Sequence, residues 1–101
     1  RKFRRIMNNQ MQTTFLQDFL IAEVFGANAV KDTFNRAFEE WKTNYVYLTE
    51  LVLVLNWRIF AWYDKNPELA ELYNELWEKA DMYAMDNLKD EELAYFLQET
   101  D

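Results

Sequence analysis

The 101-residue chain contains no cysteine, no histidine and no serine. Without cysteine there is neither a disulfide framework nor a thiolate metal site, so redox chemistry does not constrain the compartment. Losing all three residue types removes the usual nucleophiles and the usual general base, which excludes acyl transfer by a catalytic triad. Zinc sites and the Glu-x-x-His di-metal bundles lose their ligands in the same way. One glycine, Gly26, and one proline, Pro67, leave little turn chemistry for a sheet. No secretory leader is legible: the opening RKFRRIMNNQ carries positive charge but continues into Asn and Gln instead of an apolar stretch.

Apolar residues, by contrast, make up half of the chain, and 18% of all residues are aromatic. That supply suits one hydrophobic core at this length, and good helix formers dominate. The reading is an all-α fold: a compact bundle of four main helices plus a short carboxy-terminal one. Residues 1–10 read as a basic, flexible extension and residues 11–101 as a single helical domain.

The stretch YVYLTELVLVLNWRIFAWY, residues 45–63, is apolar on nearly every side, as expected of a helix surrounded by others. A helix over 45–65 is therefore placed at the centre. At 100° per residue Thr43, Glu50, Val54, Arg58, Ala61 and Lys65 share one narrow strip, read as the helix's wet stripe. The segment is long enough to span a membrane, but Glu50, Asn56 and Arg58 lie inside it. Mid-span charges cost roughly 2.5–3.5 kcal/mol each, so a buried helix of a cytoplasmic protein is the better account.

Around it, a first helix is expected from about Thr13 to Phe25, burying Phe15, Leu16, Phe19, Leu20 and Val24. Gly26 stands where a left-handed helix-ending residue belongs. Asn28 can cap a second helix carrying Val30, Phe34, Ala37, Phe38 and Trp41 at three- and four-residue spacing. Asn44 marks a break before the central helix. Asn66-Pro67 is the clearest boundary, since Asn caps a helix and Pro at its first position gives up no hydrogen bond. The fourth helix then reaches about Asn87 through Leu69, Leu72, Tyr73, Leu76, Trp77, Ala80, Tyr83 and Ala84. Asp90-Glu91-Glu92 opens a short fifth helix, favourable against its positive dipole end, with Leu93, Phe96 and Leu97 docking it.

The net charge of −7 is uneven: residues 1–5 carry +4, residues 6–63 carry −2 and residues 64–101 carry −9. Glu68, Glu71, Glu75 and Glu78 step along one helix face about 4.5–6 Å apart. Such a row can imitate phosphates at ~3.4 Å rise per strand, or it can be an ordinary solvated face with Glu75–Lys79 as an i,i+4 pair. Thr49 and Asn56 lie outside the wet stripe of the central helix, where they could fix register or line a polar pocket. The basic tip of Arg1, Lys2, Arg4 and Arg5 around Phe3 supplies too little charge for nucleic-acid affinity on an acidic domain. A calcium loop from Asp86 fails, with Leu88, Glu91 and Leu97 at its third, sixth and twelfth positions.

The segments LYNELWEKADMYAMDNLKDEELAYFLQETD, FNRAFEEW and YLTELVLVLNW resemble a group of small uncharacterised proteins carried on conjugative and other mobile elements of gut bacteria. The resemblance runs from about Thr14 onward and rests mostly on core aromatics and leucines. It implies a genomic setting and carries over no catalytic residue.

The expected function is non-enzymatic: a small acidic accessory protein that binds another protein, itself included as a homodimer, through an exposed aromatic patch near helices 2 to 4. No cofactor, metal, membrane or direct nucleic-acid partner is expected. Two alternatives stand beside it: an acidic nucleic-acid mimic using the Glu68–Glu78 stripe against a DNA-binding host factor, and a small-ligand binder with a pocket near Asn56.

Overall fold

Gly26 sets the first corner of the fold. It is the one residue between α1 (Asn9–Phe25) and α2 (Ala27–Trp41), with φ 114° and ψ −177°. That conformation is essentially closed to residues with a Cβ. Its N–H donates to the Ala22 carbonyl and its own carbonyl accepts from Val30 N–H, so one residue ends one helix and begins the next. The expected left-handed glycine is thus a positive-φ extended one. Asn28, expected as the cap of α2, instead lies inside its first turn, and the cap position holds no side chain that could accept a hydrogen bond.

The other boundaries follow local chemistry. Asn44 Oδ1 accepts from Tyr47 N–H and opens α3 (Tyr45–Trp62). Asn66 Oδ1 accepts from Leu69 N–H, with Pro67 in first position, and opens α4 (Pro67–Asn87). A short link at Leu88 and Lys89 leads into α5 (Asp90–Thr100), whose first turn is wholly acidic.

The computed structural model describes residues 9–101, and these form five helices and no strand. The basic tip, residues 1–5, lies outside the described residues, as does most of the expected 1–10 extension. Asn9 and Gln10 already belong to α1, which starts one turn before Thr13. Met11 packs on the core and Gln12 is buried, so that extra turn has contacts of its own.

Contacts fix the helix directions. Gln12 reaches Glu50 and Glu23 reaches Arg58, so α1 and α3 run parallel. The Phe38 ring meets Tyr83 edge-on and Lys79 lies over Phe34, so α2 and α4 run parallel too. With short connections between consecutive helices this is an up-down bundle. Its interior is filled by Phe15, Phe19, Phe34, Leu51, Leu55, Tyr73 and Phe96 among others.

Helix α3 is the central one. Every residue from Leu48 to Leu55 is buried, because α1, α2, α4 and α5 all pack on it. Tyr95 of α5 stacks edge-on against Tyr45, which places α5 over the amino-terminal half of α3. At 1.5 Å per residue, α5 spans roughly 16 Å and α3 roughly 27 Å. The carboxy-terminal half of α3 therefore emerges beyond its cover. No helix among the described residues is long and apolar enough to cross a membrane.

Candidate functional site

The strip of α3 read as its wet stripe turns inward at its centre. Glu50 is 1% exposed, Val54 is fully buried and the Arg58 side chain is 12% exposed. Periodicity showed that these residues share a face; the face meets α1, which answers it with polar groups of its own. Gln12 Nε2 donates to Glu50 Oε1. One turn beyond Val54, Arg58 donates from Nε and Nη2 to the two carboxylate oxygens of Glu23, both at 2.9 Å. Tyr73 of α4 donates its hydroxyl to Glu23 Oε2 at 2.6 Å. Burial first, then the hydrogen bond to Glu23 and that carboxylate's charge, push the Tyr73 phenol far above its ordinary value. This linkage ties three helices together.

The Glu23–Arg58 pair also sets the register of the surface beside it. Moving round α1 away from the core, Glu23 is followed by Leu20 and Val24. Moving round α3 in the matching direction, Arg58 is followed by Ala61, Trp57 and Phe60. These two ridges lie side by side on the outside of the carboxy-terminal halves of α1 and α3. Ile21 and Phe25 lie further round α1, where they wall the α1–α2 groove, and Tyr63 faces the α3–α4 groove.

All of them are open to solvent: Leu20 43%, Ile21 61%, Val24 81%, Phe25 77%, Trp57 42%, Phe60 69% and Tyr63 72% exposed. At roughly 200 Å² for a fully exposed aromatic, Trp57 and Phe60 between α1 and α3 leave on the order of 220 Å² uncovered. With Leu20 and Val24 the total is about 400 Å², the size of the largest apolar patch on a typical monomer (~300–600 Å²). The one ion pair at its edge, Glu23–Arg58, is internally neutralised. The strip between α1 and α3 is apolar and uncharged, and Thr13 and Gln17 border it on α1.

Leu20 and Val24, expected in the core, thus form part of an outer surface. The buried line of α1 is Phe15, Phe19 and Ala22 with Gln12, and Leu20 and Val24 sit a quarter-turn or more to one side. Leu97 of α5 is likewise half-open instead of docked. Where an aromatic patch was expected near α2 to α4, the exposed rings are Trp57, Phe60 and Tyr63 on and just after α3, with Phe25 at the end of α1. Phe15, Phe19, Phe34, Phe38, Tyr73 and Phe96 are buried, and Trp41, Tyr45, Trp62, Trp77 and Tyr83 pack against the core.

Glu68, Glu71, Glu75 and Glu78 are all exposed on α4. The first three line a groove of about 360 Å³ against α2, where Lys31 stands among them. Asp81, further along α4, has its carboxyl raised above the usual value by partial burial. Thr49 is fully buried and donates its hydroxyl to the Tyr45 carbonyl at 2.7 Å, one turn back in its own helix. Asn56 is half-buried. Neither lines the grooves found between α1 and α2, α2 and α4, or α3 and α4. The α1–α2 groove, about 330 Å³, is a surface trough walled by Ile21 and Phe25 and rimmed by Asp18, Asp32 and Arg36. Among the described residues no three carboxylates converge on a point where a metal ion could be held.

Sequence reasoning missed the Glu23–Arg58–Tyr73 linkage. A signal was present: Gln12 and Glu23, eleven residues apart, fall three turns apart on one edge of the core face of α1, matching Glu50 and Arg58 on α3. No family model, curated protein or solved structure matches this chain.

Proposed function

We propose that the chain is a non-enzymatic binding protein that docks another protein on the uncovered α1/α3 face. The observation that carries this is the uncharged apolar ridge pair left open on the outside of the bundle, Leu20 and Val24 beside Trp57 and Phe60. Trp57 and Phe60 are of the residue types that concentrate binding energy. The absence of His, Cys and Ser supports a role without triad chemistry. An accessory role on a mobile element fits the resemblance of the α2, α3 and α4–α5 segments.

The test is a pull-down from host lysate at moderate salt with three baits. These are the wild type, a face variant (Val24→Glu with Phe60→Glu) and a stripe variant with Glu68, Glu71, Glu75 and Glu78 all changed to Lys. A partner kept by the stripe variant and lost by the face variant supports the proposal. The opposite pattern, with a DNA-binding protein as the partner, sinks it in favour of nucleic-acid mimicry.

A further inference from the structure

We propose that the groove between α1 and α2 binds a free α-amino acid with a large apolar side chain. The site is separate from the α1/α3 strip and does not depend on what docks there.

The groove, about 330 Å³, is divided along its length by residue type. Helices α1 and α2 leave Gly26 side by side in opposite directions, so depth along the groove can be counted in residues from that corner. Phe25, Ala29, Ala22 and Ile21 all fall within five residues of Gly26. Asp32, Thr33, Asp18 and Arg36 all lie further out along the same groove. At 1.5 Å per residue each half is roughly 7 Å long. An amino acid of the size of leucine has the same division, with an apolar branch at one end and both charges at the other.

In the half near the corner the floor is low because Ala22 and Ala29 are small. Ile21 and Phe25 stand beside it as walls, 61% and 77% exposed, with apolar surface left to cover. In the outer half three charged groups face the groove without partners of their own. Asp32 and Arg36 are one turn apart on α2, the spacing of an ordinary helical ion pair, and Asp18 lies across from them on α1. None of the three makes an ion pair or a side-chain hydrogen bond among the described residues.

Thr33 adds an independent sign of a ligand. It is 8% exposed and lines the floor of the polar half. Thr49 and Thr100 donate their hydroxyls to the carbonyl one turn back. The Thr33 hydroxyl makes no such bond, and it is not sealed off beneath the groove surface. Polar groups held this deep are ordinarily hydrogen-bonded, so the floor offers a ready donor and acceptor at the boundary of the two halves. An apolar trough with a few convergent polar groups is the usual form of a small-molecule site.

The mixture of charges selects a zwitterion. The Arg36 guanidinium presents a fork that suits a carboxylate, and Asp18 and Asp32 suit an ammonium. A simple amine leaves Arg36 unmatched, and a simple acid meets two carboxylates with nothing to offset them.

Titration of isotope-labelled protein with L-leucine, followed through the amide resonances of α1 and α2, measures this. Saturable shifts are expected around Ala22, Ala29 and Thr33, with a Kd on the order of 1 mM. Isoamylamine lacks the carboxylate of leucine and isocaproate lacks its ammonium; each should bind about tenfold more weakly or worse. Arg36→Gln, at an exposed position, should weaken leucine by about tenfold and leave isoamylamine unchanged. Thr33→Val removes the hydroxyl at nearly constant volume and should also weaken leucine. Ala29→Leu fills the apolar half and should abolish binding, with circular dichroism confirming that the helices are kept. Absence of saturable shifts with leucine overturns the proposal. So does equal binding of leucine and isoamylamine, or an Arg36→Gln variant that binds leucine as tightly as wild type. None of these outcomes bears on partner binding at the α1/α3 strip.

Discussion

Replacing Arg58 with Met removes the guanidinium from the Glu23–Arg58–Tyr73 linkage and keeps most of the apolar stem. Glu23 would retain only the Tyr73 hydroxyl as a donor, in a site where its side chain is 10% exposed. Breaking a buried ion pair by deleting one partner costs about 3–5 kcal/mol, because a carboxylate is left without its counter-charge. About a tenth of each side chain still touches water, so the lower end applies, about 3 kcal/mol. For a domain of this length each kcal/mol moves the midpoint by roughly 4–8 °C, so Tm should fall by about 12–24 °C.

Urea and thermal denaturation followed by circular dichroism measure both quantities. The companion variant is Glu23→Leu, Arg58→Met, Tyr73→Phe, which removes every member of the linkage at once. It leaves no buried group seeking a partner and should recover to within ~1 kcal/mol of wild type. The same linkage has a pH signature. The folded-state Tyr73 phenol titrates far above its unfolded value near 10.0. Its contribution is therefore complete below pH 10 and declines as pH rises past it, by about 1.4 kcal/mol per pH unit. Tyr73→Phe should lack that alkaline decline. An Arg58→Met variant within ~1 kcal/mol of wild type, or a triple variant worse than the single one, would refute the assignment of a buried, mutually dependent linkage.

Three further outcomes are expected. Gly26→Ala should cost about 1–3 kcal/mol in urea unfolding. No atom lies within 4 Å of the added methyl, so the whole cost is backbone conformation at φ 114°. Asn66→Ala should cost about 1 kcal/mol through loss of the cap on Leu69 N–H, whereas Asn28→Ala, inside a first turn, should be nearly neutral in the same assay. Asp81→Asn should raise the melting midpoint at neutral pH. The folded carboxyl binds its proton more tightly than the unfolded one, so the charged form is penalised above the ordinary 3.8. The gain should disappear as pH falls below that value, and a gain that persists in acid would show another cause.

Asn66-Pro67, Asn44 and the Asp90-Glu91-Glu92 run were legible because each acts on its own backbone within one turn. The buried lines of α2 and α4 were legible for a related reason, since each helix has one apolar face and one polar face. Helix α1 was harder to read. Its apolar residues wrap most of its circumference near the carboxy terminus, so periodicity could not say which of Phe19, Leu20, Ile21, Val24 and Phe25 faced the core. Glu50 and Arg58 were misread for the complementary reason. A polar residue on an apolar helix marks either water or a polar partner, and the partners Gln12 and Glu23 lie 38 and 35 residues away.

By itself the sequence determined the helical class, three of the five helix starts, the central place of the helix read over 45–65, which ends at Trp62, and the exclusion of triad chemistry. These follow from residue types and short-range spacing, and each is settled within a few turns of chain. Only the tertiary structure decided that α1 and α3 lie parallel, that Glu23, Arg58 and Tyr73 meet, and that α5 is too short to cover α3. The last of these leaves Leu20, Val24, Trp57 and Phe60 open. Whether an apolar side chain becomes core or binding surface depends on what the rest of the chain places over it, and that is a property of the packed whole.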